Sequence, residues 1–219
     1  MKDLLIDLDN TIYCEDSKIF SQIDFKMKTF IASKLQLSLE EAYLIQKKYF
    51  KKYGTTLRGL MLNDDIEPEY FLKYVHDIDL TSLKKNTSLK KQMSKFSGKK
   101  IIFTNGTFCH AERVLKKVGV LEEVDEIFDI KAAKYIPKPN LKTYKEVINK
   151  FNLIFHNTIM IDDIPANLKT AKELGTKTIL IDIECNKTIN NFVDFTFRNL
   201  ESFMKKINKK DIFNENRKT

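Results

Sequence analysis

The chain has 219 residues, a formal net charge of +8 at pH 7, and a composition of 42% hydrophobic and 31% charged residues. These values are typical of a globular protein that is long enough to bury a sizeable core, and they predict one domain with a large insertion. No apolar stretch approaches the roughly 18 residues that a membrane span needs, and the acidic start argues against a secretory signal.

The excess of 38 basic over 30 acidic residues is compatible with a phosphate-bearing ligand or with lysine-rich, solvated helix faces. No basic patch is interleaved with aromatic residues, so no nucleic acid polymer is expected as a partner. Cys14, Cys109 and Cys185 lie far apart and without metal-ligand spacing, which predicts reduced thiols and a cytoplasmic protein. The polar residues 209–219 are expected to fray.

The first predicted element is a short apolar strand that ends in two carboxylates, Asp7 and Asp9, and then in Thr11. Side chains alternate between the two faces of a strand, so both carboxylates are expected on the same face. Two like charges so close together repel each other unless a cation lies between them or one of them keeps a proton. The pattern therefore indicates a divalent metal and a phosphoryl group at this strand end.

A helical region follows the strand. Ser38 and Glu41 form a capping box that predicts a helix running to Tyr53 and ending at Gly54. The other segments predicted here are a lysine-rich amphipathic stretch at 20–35, a polar turn at 53–59 and a short helix at 67–75. Residues 13–86 are thus predicted to form an all-helical cap domain.

From residue 99 onward, strand and helix signals alternate. Strands are predicted at 99–104, 126–130, 158–161 and 177–181, and helices at 110–118, 141–151 and 165–175. This alternation predicts an α/β fold with a Rossmann-like, mostly parallel sheet flanked by helices. Residues 1–12 and 87–219 are assigned to this core domain.

Polar residues stand at the carboxyl ends of the predicted strands, where ligands bind in open α/β sheets. They are Asp7 and Asp9, Thr104 and Asn105, and Asp162 and Asp163. Lys138 lies between two prolines at a chain position that allows it to reach the same crevice. Carboxylates can act as a nucleophile and as a proton donor, and a hydroxyl and an amine can hold phosphoryl oxygens. An all-carboxylate site prefers Mg²⁺.

Residues 7–11, 104–106, 138–139 and 161–163 resemble, in order, the four motifs of the haloacid dehalogenase superfamily. The resemblance covers about residues 1–12 and 87–185. It implies that Asp7 is the nucleophile and Asp9 the general acid/base, and that Thr104 and Lys138 bind the phosphoryl group.

The same resemblance implies a Mg²⁺ site. Asp163, the carboxylate of Asp7 and the backbone carbonyl of Asp9 would ligate the ion, with Asp162 acting through water and Asn167 supporting the metal shell. Asn105 and Gly106 would help to hold the phosphate.

Within the superfamily, residues 7–13, 53–60, 103–106 and 110–113 are similar to pyrimidine 5′-nucleotidase-type phosphatases. This likeness implies a small phosphate ester as partner, namely a pyrimidine nucleoside 5′-monophosphate, and a monomer or homodimer. Thr55, Arg58 and His110 are then candidates for substrate binding, although an exposed turn and an exposed helix face account for them equally well.

Other functions remain open at this stage. A sugar phosphate or a phosphoglycolate-like ester is the alternative substrate. A haloacid dehalogenase would use the same nucleophile without Mg²⁺, but Asp9 and the pair Asp162 and Asp163 argue against it. A receiver module would carry its metal-binding acidic pair at the first strand and its phospho-acceptor at a middle strand, which is the reverse of the order here. A non-catalytic phosphate-binding protein would retain the site without turnover.

Overall fold

The computed structural model describes residues 2–184 and 191–209. Its centre is a six-stranded sheet in the order β3-β2-β1-β4-β5-β6, with every neighbouring pair parallel. The strands are β1 (Asp3–Ile6), β2 (Lys100–Phe103), β3 (Glu126–Phe128), β4 (Thr158–Asp162), β5 (Lys177–Ile181) and β6 (Phe195–Phe197). The predicted α/β class with a Rossmann-like parallel sheet is confirmed.

Helices fill the connections between the strands. They are α1 (Ile19–Leu35), α2 (Leu39–Tyr53), α3 (Thr56–Asn63), α4 (Pro68–Val75), α5 (Thr87–Lys95), α6 (Phe108–Val118), α7 (Leu141–Lys150), α8 (Pro165–Glu173) and α9 (Leu200–Ile207). The first four lie within the predicted cap, where α1 packs on α2 and α4, and α2 packs on α3. The division of the chain into a core and a cap domain remains a prediction.

The central strands β1, β2, β4 and β5 are buried on both faces, as strands of a parallel sheet covered by helices must be. In β1, Leu4 and Ile6 pack into one hydrophobic cluster, whereas Leu5 packs into the other cluster on the opposite face. Alternation along the strand therefore determines which layer each residue joins. The near-continuous apolar runs of the sequence are explained by this double burial.

The capping box at the start of α2 is confirmed: the Ser38 hydroxyl accepts from the Glu41 amide, and the Glu41 carboxylate accepts from the Ser38 amide. The polar turn predicted at 53–59 is wrong for most of its length, because α3 already begins at Thr56. The side chain of Thr55 caps this helix by accepting from the Arg58 amide. Only Gly54 and Thr55 separate α2 from α3.

Other differences between the predicted and observed elements are smaller. Helix α6 begins two residues before the predicted start, because the hydroxyl of Thr107 accepts from the His110 amide and caps it. Strand β6 and helix α9 were not predicted. The strand has only three residues, all partly exposed, so it carries no strong apolar signal.

Cys14 and Cys109 are free and exposed, in agreement with the predicted thiols. Cys185 and residues 210–219 of the predicted frayed end lie outside the described residues. Within the described parts of the chain, no helix is both long enough and apolar enough to cross a membrane.

Candidate active site

The site lies where the order of the strands reverses. The chain runs from β1 outward to β2 and β3, and then returns to β4 on the other side of β1. In open α/β sheets this reversal leaves a crevice at the carboxyl ends of the two central strands. Asp7 follows β1 and Asp162 ends β4, and the Asp7 amide donates to the Ile161 carbonyl oxygen at 2.9 Å. Strand pairing thus brings two carboxylates, 155 positions apart by residue number (162 − 7), to one crevice.

Lys138 joins these two carboxylates. Its Nζ donates to Asp7 Oδ1 at 2.7 Å and to Asp162 Oδ2 at 2.8 Å, and its side chain is 1% exposed. The ammonium also lies 5.1 Å from the centre of the Phe103 ring. The two carboxylates outweigh the cost of burial and raise the pKa of Lys138 above its usual range. A buried, permanently charged amine therefore stands at the crevice.

Asp162 is fully occupied by protein donors. Its Oδ1 accepts from the Ile164 amide at 2.9 Å, and Asn167 Nδ2 donates to both carboxylate oxygens at 2.9 and 3.0 Å. With Lys138 on Oδ2, each oxygen has at least two donors. The geometry makes Asp162 the residue that holds Lys138 in place.

Asp163 is only half-buried and lines the same cavity as Asp7. Oxygen atoms of Asp7, Asp162 and Asp163 lie within 4.8 Å of one another, close enough to share a metal ion. Carboxylate oxygens are the ligands that Mg²⁺ prefers, so the donor set fits this ion. Each of the three carboxylates therefore offers an oxygen that could bind the ion.

Burial raises the pKa of Asp7 well above its usual range, and the carboxylates of Asp162 and Asp163 act in the same direction against the opposing charge of Lys138. A cation beside Asp7 would lower this pKa and favour the ionised, nucleophilic form. The site thus has an excess of negative charge that a cation would neutralise.

Asp9 has different partners. The hydroxyl of Tyr13 donates to Asp9 Oδ1 at 2.6 Å, and His110 Nε2 lies 2.9 Å from the same oxygen. Burial acts to raise the pKa of Asp9, but the charge of His110 and the two hydrogen bonds outweigh it and lower the pKa below its usual value. The structure therefore places His110, a predicted substrate contact, against Asp9, with the histidine side chain fully buried.

The loop after β2 carries Thr104, Asn105 and Gly106. Thr104 Oγ1 accepts from the Gly106 amide at 2.9 Å, which leaves the hydroxyl proton for a ligand. The Asn105 side chain accepts from the Lys138 amide at 2.8 Å and donates to the Lys138 carbonyl at 3.2 Å. Asn105 thus fixes the backbone that presents Lys138.

A cavity of about 350 Å³ lies over these groups. Its floor includes Asp7, Asp9, Thr104, Lys138 and Asp163. The opposite wall comes from the helices of the predicted cap and is largely apolar. It includes Phe20, Ile23, Met27, Leu57 and Phe71. Water can therefore be displaced from the polar floor by a ligand with an apolar part.

The two substrate contacts predicted in the cap, Thr55 and Arg58, lie at different cavities. Thr55 lines this cavity, whereas Arg58 lines a larger depression of about 830 Å³ between α2, α3 and residues 136–142. Gly54 allows the turn between α2 and α3 to approach the backbone at Lys138 closely. A Cβ at this position would lie only 2.9 Å from the Lys138 carbonyl oxygen.

Two residues with no predicted role belong to the site. The ring of His76 stacks on the ring of His110, with centroids 4.4 Å apart. Gln46 lines the cavity and is 1% exposed. Its Nε2 donates to Asp24 Oδ1 at 2.9 Å, and this bond fixes the orientation of the side-chain amide. The amide oxygen, Oε1, has no hydrogen-bond partner among the described residues. Nothing in the spacing of the sequence indicated either contact, because both depend on how the helices pack.

Two known proteins have sequences similar to this chain. The chain is 26% identical over 201 residues to "Phosphate metabolism protein 8" of Saccharomyces cerevisiae, covering 84% of this chain but only 62% of the yeast protein. It is 25% identical over 228 residues to "Glyceraldehyde 3-phosphate phosphatase" of Methanocaldococcus jannaschii, covering 93% of this chain and 96% of the archaeal protein.

Solved structures share the fold. A HAD phosphatase from Thermococcus onnurineus superposes with a TM-score of 0.60 at 20% identity, covering 94% of this chain and 98% of the other. An L-2-haloacid dehalogenase from Xanthobacter autotrophicus superposes with a TM-score of 0.58 at 13% identity, covering 95% and 99%. A family model described as haloacid dehalogenase-like hydrolase matches residues 1–175. The chain therefore belongs to the haloacid dehalogenase-like hydrolases.

Proposed function

We propose that the protein is a Mg²⁺-dependent phosphomonoesterase that works through an aspartyl-phosphate on Asp7. The observation that carries the proposal is the contact of Lys138 with Asp7 and Asp162 beside Asp163, on the floor of the cavity. This arrangement combines a carboxylate nucleophile, a fixed positive charge and a cation site. These are the parts that phosphoryl transfer requires.

The proposed reaction has two steps. In the first, an oxygen of Asp7 bonds to phosphorus, the bond to the leaving oxygen breaks, and Asp9 donates a proton to that oxygen. In the second, Asp9 removes a proton from water, the water oxygen bonds to phosphorus, and the bond to Asp7 breaks. Inorganic phosphate leaves and both carboxylates return to their initial state.

Asp9 must be protonated for the first step, yet its pKa is low in the protein without substrate. A bound phosphate group brings negative charge close to Asp9, and a like charge raises the pKa of a carboxyl group. Substrate binding thus favours the form that donates the proton, and the departure of the alcohol favours the form that accepts one.

The carboxylates of Asp7 and Asp163, with the backbone carbonyl of Asp9, would hold Mg²⁺, which supplies positive charge to the transferring phosphoryl group. Lys138 and the hydroxyl of Thr104 would bind the remaining phosphoryl oxygens. Because these donors are fixed before the substrate arrives, they need no reorganisation during the reaction.

As substrate we propose a pyrimidine nucleoside 5′-monophosphate. The support is the motif likeness together with the cavity, whose apolar wall would cover a base or sugar. Gln46 Oε1 is a buried acceptor that lacks a partner among the described residues, and a ring N–H or a hydroxyl of the ligand would satisfy it. A sugar phosphate or a phosphoglycolate-like ester is the alternative, since one relative is named for its action on glyceraldehyde 3-phosphate.

The test is release of phosphate from a panel of phosphomonoesters with Mg²⁺, run on the wild type and on D7N. We expect pyrimidine nucleotides to rank first and D7N to lose turnover of every ester. Sugar phosphates ranking first would overturn the nucleotide proposal alone. Normal turnover of an aryl phosphate by D7N would overturn the mechanism.

The dehalogenase reading is a second candidate, because dehalogenase structures share this fold. That reaction attacks carbon and needs neither a cation nor an acid for an alkoxide. Asp9 with its two hydrogen-bond donors and Asp163 would then have no chemical purpose. Chloride release from a 2-haloacid in the presence of EDTA would support this candidate over the phosphatase.

A further inference from the structure

We propose that His110 is a positioning residue that holds the carboxylate of Asp9 for proton transfer, and that the stacked ring of His76 braces it. The proposal rests on the proposed phosphatase function and assigns His110 no contact with the substrate. It follows from four independent features of the geometry around Asp9.

The first feature is that both donors use one oxygen. Tyr13 and His110 both contact Oδ1 of Asp9, at 2.6 and 2.9 Å. A carboxylate held through one oxygen cannot rotate freely about its Cβ–Cγ bond, so the other oxygen, Oδ2, keeps a fixed direction. Oδ2 can carry the proton while Oδ1 continues to accept both hydrogen bonds, so the clamp persists in both protonation states.

The second feature is the environment of the His110 ring. The ring is fully buried on α6, and its Nδ1 has no partner among the described residues. A buried imidazole with one hydrogen bond, to Asp9, is oriented by that bond and by packing alone. A buried polar atom without a partner destabilises the fold. An apolar side chain at this position would avoid that cost, so the retained imidazole points to a role in its contact with Asp9.

The third feature is the brace. The rings of His76 and His110 are stacked with an angle of 6° between their planes. Burial lowers the pKa of His76 to about 3, so this ring is neutral near pH 7 and adds no charge beside Asp9. His76 is itself held, because its Nδ1 lies 3.2 Å from Thr107 Oγ1 and its carbonyl accepts from Arg113 at 2.8 Å.

The fourth feature is Gly106, whose lack of a side chain leaves room for the His110 ring. A Cβ on Gly106 would lie 3.3 Å from His110 Cδ2, which is a tight contact. Tyr13, which precedes α1, contacts Asp9 directly, whereas His76, which follows α4, reaches Asp9 only through the ring of His110. The position of the predicted cap therefore affects the orientation of the Asp9 carboxylate.

Positioning of a general acid matters most when the leaving group is poor. An alkyl alcohol needs a proton as it departs, whereas an acidic phenol leaves readily without one. Loss of the His110 contact should therefore lower kcat/KM, which reports the steps up to departure of the alcohol, selectively on alkyl phosphates. A change that merely disturbs the fold or the nucleophile would lower turnover of both kinds of ester.

The experiment measures kcat and KM of the wild type, H110A, H110N and H110Q on one alkyl phosphate and on p-nitrophenyl phosphate. We expect H110A and H110N to lower kcat/KM on the alkyl ester by about tenfold or more, with little effect on kcat/KM of the aryl ester. Glutamine can place an amide N–H near the position of Nε2, so H110Q should recover part of the loss.

His156 offers a matched control because it is an exposed histidine distant in the fold from the crevice, and H156A should behave like the wild type. Using two loss variants guards against one that does not fold, and thermal unfolding identifies such a variant. Equal losses on the two esters, or no loss on the alkyl ester, would overturn the proposal while the wild type remained an active phosphatase. A wild type that hydrolyses neither ester would overturn the proposed function as well.

Discussion

Asp162 and Asp163 are adjacent in the sequence but differ in their surroundings. Asp162 is completely buried and holds Lys138 with the help of Asn167, whereas Asp163 is half-buried beside the cavity. Their backbone positions differ by one residue at the end of a strand, so their side chains point in different directions. Asp162 thus orients Lys138, whereas Asp163 lines the cavity.

We therefore predict opposite effects of two matched substitutions. D162N removes a partner of the buried ammonium and should lower the free energy of unfolding by about 3 kcal/mol. D163N relieves repulsion with Asp7 and should leave stability unchanged or raise it. Urea unfolding at neutral pH measures both.

The same pair should differ in response to Mg²⁺. D163N should need a much higher Mg²⁺ concentration for half-maximal phosphatase activity, whereas D162N should lower kcat with little shift in that concentration. The reverse pattern would show that Asp162 is the direct ligand.

At the scale of residues, the sequence predicted the groups that chemistry demands at strand ends, namely Asp7, Asp9, Thr104, Lys138 and Asp163, and the structure brings them to one cavity. Their partners were not predictable. His76 meets His110, and Gln46 meets Asp24, only because helices pack in a particular way. No short spacing in the chain encodes such contacts.

Among the elements, the turn between α2 and α3 has a special relation to the site. Gly54 has a φ of +86° and approaches the Lys138 carbonyl more closely than a side chain would allow. Gly175 ends α8 with nearly the same φ, +88°, but a Cβ there would meet nothing within 4 Å. Both glycines thus need a positive φ, but only Gly54 has no space for a side chain.

This difference allows a matched prediction. G175A should cost about 1 kcal/mol of stability, the cost of placing alanine at positive φ, and leave activity unchanged. G54A should carry the same backbone cost and also push α2 away from Lys138, lowering kcat. Measuring kcat and the urea midpoint for both variants separates the two effects, and equal kcat values would refute the steric argument.

Strand β6 pairs with β5, and the carboxylate of Asp194, directly before β6, adds contacts to β5 and α8. Asp194 contacts Lys172 Nζ on α8 at 2.5 Å and accepts from the Thr178 amide on β5 at 2.9 Å. Although burial opposes ionisation, the contact with Lys172 and the bond from Thr178 lower the pKa of Asp194. The charged form is therefore more favourable in the folded than in the unfolded chain.

A lowered pKa in the folded state contributes stability above the unfolded pKa, and this contribution disappears as the pH falls through the folded pKa. D194N should thus be less stable than the wild type at pH 7, and the difference should vanish in acid. D77N is the control, because Asp77 forms an exposed ion pair with Lys26 and should change little at any pH. Urea unfolding from pH 7 downward gives both curves.

Elements with strong periodic or capping signals were predictable from the sequence, as α2 shows. Predicted boundaries failed where a single side chain decides them, such as the threonine caps of α3 and α6. The edge strand β6 escaped prediction because three half-exposed residues carry too weak a pattern.

For the whole molecule, the excess of negative charge in the cavity has a thermodynamic consequence. A cation that binds only the folded chain stabilises it. Mg²⁺ added after EDTA treatment should therefore raise the melting temperature and restore phosphomonoester turnover. The variant D7N should show a smaller rise. Full activity in EDTA would refute the metal requirement.

The parallel order of the sheet also bears on how the protein comes to exist in a cell. Strand β1, which leads into Asp7, is synthesised before both strands that pair with it, and β4 begins only at Thr158. Until the ribosome has passed that point, one edge of an apolar strand lacks its native neighbour and can pair with other chains. We expect nascent chains to depend on chaperones during this interval. Catalytic competence then arises late, when the two halves of the carboxylate cluster first meet.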